Sequence, residues 1–314
     1  MAVHAHPDDE TLTSGVLLST AVAADLPTTV ITCTRGEQGE VIGPLRAELE
    51  GNGPALGAYR ETEIAAAMRA LGGVEQRFLD QLPGPAVRYV DSGMAWMDGF
   101  AQAGAAAELP ADALVAGDLD AQAGRLAAWL GERRPALVVT YEPGGGYGHP
   151  DHVRTHRIVR RAAELMGVAA PPVAWAVALG ADLHAAYRVL ADDADVAALI
   201  AAHADLAWAS SRQGPFTLPD PAGSLPAMAR TRPGAGFIVP VWPVRGAVLD
   251  ALGAHATQVQ AVTALERRPA LAGCYALSNG VLAPILPEER YEWADPSRTV
   301  DLPWAVPSQP DPVA

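Results

Sequence analysis

The sequence predicts an α/β protein: a Rossmann-like, mostly parallel sheet with helices on both faces, followed by a smaller C-terminal α+β domain. Three observations carry that expectation. The apolar run before His4 and the β-branched run Thr28–Thr34 enclose a helical pattern, at the spacing of a right-handed βαβ unit. Two distant apolar runs, the first and Ala136–Thr140, each lead into a turn containing His-Pro-Asp, at residues 6–8 and 149–151. From about Val168 the composition shifts to alanine-rich and then proline-rich stretches. The expected domains are therefore 1–168, which carries both turns, and 169–314, which contributes to the pocket.

The first strand is short because Pro7 lacks an N–H and fixes its own φ. Ser14–Ala24 reads as a helix of small residues with Val16, Leu17 and Leu18 available for burial. Thr28–Thr34, bounded by Pro27 and Gly36, reads as a buried strand whose following loop, Arg35–Glu40, returns to the same sheet edge. Tyr59–Leu71 shows a stripe of Ile64, Met68 and Leu71, with Gly72-Gly73 as its stop. Arg60 then falls in a first turn, where the helix dipole disfavours a cation, which hints at a ligand role. Arg88–Gly104 reads as loop.

Asp118–Glu132 is the next helix, with Leu119, Leu126 and Leu130 on one face, and the strand Ala136–Tyr141 delivers the second turn. The helix after His152 carries Ile158, Ala162 and Leu165 as its stripe. His156, among Arg157, Arg160 and Arg161, is expected to face solvent or to support the site from behind. Then come a strand at Val173–Leu179, helical patterns, a loop at Gln213–Pro233, a strand at Phe237–Val241 and a helix at Arg245–Gln258. The proline-rich tail from Pro303 is expected to fray.

Charge excludes several functions. The net charge is −14 and lysine is absent. Nucleic acid and anionic membrane both need basic patches, so neither is an expected partner. Schiff-base chemistry and a phosphate-loop lysine are excluded as well. No run reaches the ~18 apolar residues of a membrane span, and the start lacks the basic segment of a secretory leader. Cys33 and Cys274 form no zinc or disulfide pattern, which fits a reducing cytoplasm. A small molecule is the expected partner, and nothing in the pattern specifies an oligomeric state.

The chemistry lies in the two turns. Adjacent Asp8 and Asp9 repel each other when ionised, and an N-cap role before a helix near Leu12 accounts for only one of them. A divalent cation resolves the conflict: one carboxylate and an imidazole bind it, and the other carboxylate is left for proton transfer. Both turns space ligand types three apart, His6 with Asp9 and His149 with His152. Both stand at the carboxyl ends of strands, where open α/β sheets place their ligands.

Ala5-His-Pro-Asp-Asp-Glu10 and His149-Pro-Asp-His152 resemble the zinc-dependent sugar-amide deacetylases of the LmbE/PIG-L type. The likeness extends to Thr32–Gly43, Gly57–Arg60, Asp91–Met94 and Ala254–Val259, and it points to the branch that deacetylates N-acetylglucosaminyl-inositol for mycothiol synthesis. It implies His6, Asp9 and His152 as metal ligands, with zinc as the metal, although ferrous iron suits that set as well. It implies Asp8 as general base, His149 as the group protonating the leaving amine, and Asp151 as the carboxylate orienting His149. Tyr147 would polarise the acetyl carbonyl, and Arg60, Asp91, Met94 and Glu40 would contact the substrate. Gly144–Gly146 replace an expected Asn and suggest a flexible loop. A related amidase of mycothiol S-conjugates shares both turns, but that branch carries a lysine after the first turn and Pro in place of Gly148. A metal-binding protein without catalysis would have no need of Asp8 or His149.

Overall fold

The computed structural model describes residues 1–85, 87–98, 102–203 and 216–309. The first strands are β1 (Ala2–His4), β2 (Thr29–Thr32) and β3 (Glu75–Phe78), joined through helices α1 (Asp9–Ala23), α2 (Arg46–Leu49) and α3 (Gly53–Ala70). A hairpin, β4 (Met94–Asp98) and β5 (Gln102–Ala105), precedes α4 (Leu119–Arg133) and β6 (Val138–Tyr141). One short helical turn, α5 (Gly145–Gly148), leads into α6 (Pro150–Met166). Next come β7 (Val173–Leu179), α7 (Gly180–Asp192), α8 (Ala194–His203), β8 (Ala229–Arg230), β9 (Gly236–Pro240) and α9 (Arg245–Ala254). The last elements are β10 (Gln260–Arg268), β11 (Leu271–Ala276), β12 (Leu282–Ile285), β13 (Glu288–Trp293) and β14 (Val306–Ser308).

The main sheet runs β3-β2-β1-β6-β7-β13-β9-β14. Pairing is parallel from β3 to β7 and antiparallel from there to β14, so the sheet is mixed with a parallel half. The winding direction reverses at β1, which has β2 on one side and β6 on the other. This is the switch point where sheets of this kind open a crevice.

The strands read as continuous apolar runs because both faces are covered. Successive residues point to opposite faces. Ala2, Val30 and Val139 join the core formed with α1, α3 and α9, around Leu17, Ile64, Met68 and Leu252. Val3, Ile31 and Val138 join the opposite core, with Leu126 and Leu130 of α4 and Ile158 and Val159 of α6.

Several expectations are corrected. α1 starts at Asp9 and is broken at Ser14, whose φ of −144° is not helical. The break is supplied from β13: the Glu289 carboxylate accepts the Val16 and Leu17 N–H groups at 2.7 and 2.9 Å, re-capping the second half. α3 starts at Gly53, because Asn52 accepts the Ala55 N–H as its cap. Arg60 therefore lies about two turns inside, beyond reach of the dipole argument. The segment 88–104 contains the β4–β5 hairpin rather than loop alone. α9 ends at Ala254, and β14 pairs with β9 where a frayed tail was expected. Of the expected loop Gln213–Pro233, residues 213–215 lie outside the described residues, and 229–230 form β8. At residue 168 the sheet continues: β7 pairs with β6 on one side and β13 on the other. A separate antiparallel sheet, β10-β11-β12, packs beside it.

Candidate metal and catalytic site

The first turn leaves β1 at His4 and carries its polar groups toward β6. His4 itself is held away, its ring 2.8 Å from Ser14 Oγ, and burial pushes its pKa down to about 4. The His6 N–H donates to Asp9 Oδ2 at 2.9 Å. Asp8 stands at the N-cap position with φ 126°, in the region that disfavours any residue with a Cβ. Such strain costs on the order of 1–3 kcal/mol and persists only where surroundings impose it. Its side chain makes no capping bond to α1; the carboxylate lies instead 3.3 Å from Arg60 Nη2.

The second turn depends on glycine. Gly145 has φ 70°, and a Cβ there would come within 2.8 Å of the Val153 nitrogen; Gly148 has φ 92°, and a Cβ there would meet Ala103 O at 2.9 Å. Glu142 accepts the Gly144 and Gly146 N–H groups at 2.8 and 2.9 Å. The glycine run is therefore a tied loop, not the flexible one expected. It brings Tyr147 to the pocket and His149 to the start of α6, where Nδ1 accepts the Asp151 N–H at 3.1 Å.

Hydrogen bonds assign the ring tautomers. His6 Nε2 lies 3.1 Å from Asp151 Oδ2, an acceptor, so this nitrogen carries a proton, and Nδ1, 3.3 Å from Asp9 Oδ2, is the nitrogen that a cation would free by displacing its proton. His152 Nδ1 donates to Gly145 O at 3.1 Å. That leaves its buried Nε2, which has no hydrogen-bond partner among the described residues, 3.2 Å from Asp9 Oδ1. Two imidazole nitrogens thus converge on one carboxylate, an arrangement that a divalent cation fits by taking the place of the proton on His6 Nδ1. Ligand atoms of His6, His149 and His152 also lie within 4.8 Å of one another, as do those of His6, Asp91 and Asp151. In neutral His149, however, Nδ1 is occupied by the Asp151 N–H, which places the ring proton on Nε2 and makes it a donor.

Asp151 is corrected by this geometry. Its carboxylate faces His6, and it accepts the Ser92 N–H at 2.8 Å and the Ser92 hydroxyl. Only its backbone reaches His149. Ser92 lay within the Asp91–Met94 stretch without being singled out. His156 is buried, its Nδ1 2.9 Å from Tyr141 O, and does not face solvent.

Burial works against charge on His6, but Asp91, Asp151 and Asp9 raise its pKa well above the ordinary value. Asp9 is also opposed by burial, and His152 and His6 hold it well below the carboxylate range. Asp8 moves the other way: burial, with Asp9 adding to it and Arg60 opposing, raises it to about 7. His149 is kept well below the imidazole value, first by burial and then by the neighbouring histidines. Burial and the nearby carboxylates raise Tyr147, so its phenol keeps a proton to donate.

A pocket of about 230 Å³ opens onto these groups, and Glu40, Arg60, Asp91, Met94, Tyr147 and His149 all line it. Arg60 is engaged already, donating to the Gly36 and Pro7 carbonyls. Gln258 lines the pocket too and donates to Glu40 O at 3.2 Å; its only sequence signal was the 254–259 stretch. A separate cavity of about 260 Å³ adjoins it at Leu12, Tyr147 and Leu277 but contains none of the ligand candidates.

The chain is similar to proteins named as deacetylases. It is 38% identical over 292 residues to the 1D-myo-inositol 2-acetamido-2-deoxy-alpha-D-glucopyranoside deacetylase of Actinosynnema mirum, covering 93% of this chain and 90% of that one. The protein of the same name from Mycolicibacterium smegmatis is 36% identical over 294 residues, covering 92% and 87%. Among solved structures, the zinc-inhibited form of teicoplanin deacetylase Orf2 aligns at 21% identity and a TM-score of 0.46, covering 81% and 83%. The N,N'-diacetylchitobiose deacetylase of Pyrococcus horikoshii aligns at 20% and 0.39, covering 55% and 58%. Residues 1–163, from β1 through most of α6, match the family described as PIG-L: GlcNAc-PI de-N-acetylase, and the chain belongs to that family.

Proposed function

We propose that the chain hydrolyses the N-acetyl group of 1-D-myo-inositol 2-acetamido-2-deoxy-alpha-D-glucopyranoside, releasing acetate, with zinc held by His6, Asp9 and His152. The supporting observation is the convergence of His6 Nδ1 and His152 Nε2 on the Asp9 carboxylate, in a chain whose relatives carry that activity in their names over nine-tenths of its length. When bound, the metal supplies a Lewis acid that makes water acidic near neutrality and polarises the acyl carbonyl.

The chain's own residues do the rest. Asp8, with its carboxyl at about 7, takes a proton from the attacking water; a pKa near the working pH suits a base. Tyr147 donates its phenol to the acyl oxygen as negative charge develops there. His149, neutral with its proton at Nε2, hydrogen-bonds the leaving nitrogen there, and the proton that departs with the amine is the one Asp8 took from the water. Asp151 keeps His6 in the tautomer that leaves Nδ1 for the metal. Asp91, Glu40, Met94 and Arg60 line the side of the pocket suited to sugar and inositol hydroxyls.

The alternative amidase reading is weakened at Gly148, whose φ of 92° no proline can adopt. The test is acetate release from the inositol glycoside by zinc-loaded, iron-loaded and metal-stripped protein, beside hydrolysis of a mycothiol S-conjugate. Release by metal-loaded protein only is the expected result. No release by either metal form would refute the reading, and faster cleavage of the S-conjugate would replace it with the amidase.

A further inference from the structure

We propose that His255 is a positioning residue for Asp8, acting through the Glu10 carboxylate; the proposal rests on Asp8 being the base. The Asp8 backbone is the feature to be explained. It adopts φ 126° without being glycine, and its N–H donates to Glu10 Oε2 at 3.0 Å. The other Glu10 oxygen accepts the Thr11 hydroxyl at 2.7 Å and lies 2.8 Å from His255 Nε2. Glu10 and His255 are both fully buried. An ordinary N-cap residue turns its side chain onto its own helix. Here Glu10 takes up the Asp8 N–H, and the Asp8 carboxylate turns to Arg60 and the pocket instead.

His255 is poorly explained as a packing residue. Its Nδ1 is buried without a hydrogen-bond partner among the described residues, a cost that an apolar residue would avoid. Its polar contacts run from Nε2 to the first turn, to Glu10 and at 3.5 Å to Thr11 Oγ. The loop carrying it is anchored independently, since the Thr257 N–H and hydroxyl donate to the Glu63 carboxylate at 2.8 and 2.7 Å. Changing the ring should therefore leave the loop in place and release only the grip on Glu10.

The test compares His255→Asn with His255→Gln in full-length, metal-loaded protein. The Asn amide stops near the position of Nδ1, whereas the Gln amide nitrogen reaches that of Nε2. We expect His255→Asn to lower kcat ~10–100-fold, the usual effect of losing such a partner, with KM and metal content little changed. His255→Gln should recover most of the lost turnover. In an Asp8→Asn background, His255→Asn should add almost nothing, because both changes act on one group. An equal loss in that background would overturn the proposal, as would loss of fold in both variants. A crystal structure of His255→Asn supplies an arm that needs no activity. Asp8 should leave the positive-φ region, and Asp8 unmoved would overturn the positioning role even if the wild-type protein proved inactive on the inositol glycoside.

Discussion

The two His-Pro-Asp turns have the same three residues and use them in different ways. In the first, the helix starts one residue after the tripeptide, at Asp9, so Asp8 stands outside it at the cap with its carboxylate beside the pocket. In the second, the helix starts inside the tripeptide, at Pro150, so Asp151 is helical and its fully buried carboxylate faces Ser92 and His6. The histidines exchange roles in the same way: His6 offers Nδ1 to Asp9, while His149 spends Nδ1 on the Asp151 N–H. The register of the helix start, not the tripeptide, decides which carboxylate faces the pocket and which faces His6.

That contrast can be broken at its strongest point first. Asp8→Asn should retain metal while losing roughly 10²–10⁴-fold in turnover, the range of general acid–base catalysis. Elemental analysis beside kcat decides it: metal lost together with activity would make Asp8 a ligand and remove the distinction between the turns. Asp151→Asn should behave in the opposite way, weakening metal binding ~10–100-fold through His6. Much of its activity should return at excess metal, and a loss indifferent to metal concentration would give Asp151 the same kind of role as Asp8.

The smallest effect concerns the helices that follow the turns. α6 runs unbroken, whereas α1 depends on Glu289, whose carboxyl is pushed up to about 7 by burial against the pull of its N–H and Tyr291 donors. Between the ordinary value near 4.5 and about 7, the folded chain holds a proton that the unfolded chain has lost. Stability from this group therefore falls as pH rises through that window, and the loss is complete above it. Glu289→Gln should flatten the difference in denaturation midpoint between pH 5 and pH 8. An unchanged pH slope would remove Glu289 from the account of the break in α1.

The turns were legible because their signals are local: a strand, a proline, and polar residues too concentrated for a structural role alone. The parallel half of the sheet was legible for the same reason, from Val30 and Ile31 or Val138 and Val139 pointing to opposite cores. What escaped is non-local. Nothing near Glu289 announces that it caps a helix about 270 residues earlier, and nothing near Ser92 shows that Asp151 will accept from it. Arg60 was misplaced because the helix start depends on Asn52, outside the apolar stripe. Beyond residue 168, low sequence periodicity hid strands that complete the main sheet, since β13 and β14 add to it from far along the chain.

The bond from Glu10 to His255 also has a consequence in time. All three proposed metal ligands have been synthesised once His152 is made, and about a hundred residues follow before His255. At ~5–20 residues per second that is roughly 5–20 s of synthesis. Closing so long a loop costs only slightly more than closing a shorter one, because the entropy grows with the logarithm of length. A growing chain would thus carry every proposed metal ligand for some seconds before it carries the residue proposed to aim the base, and the full rate of hydrolysis would be reached only when the C-terminal third has docked.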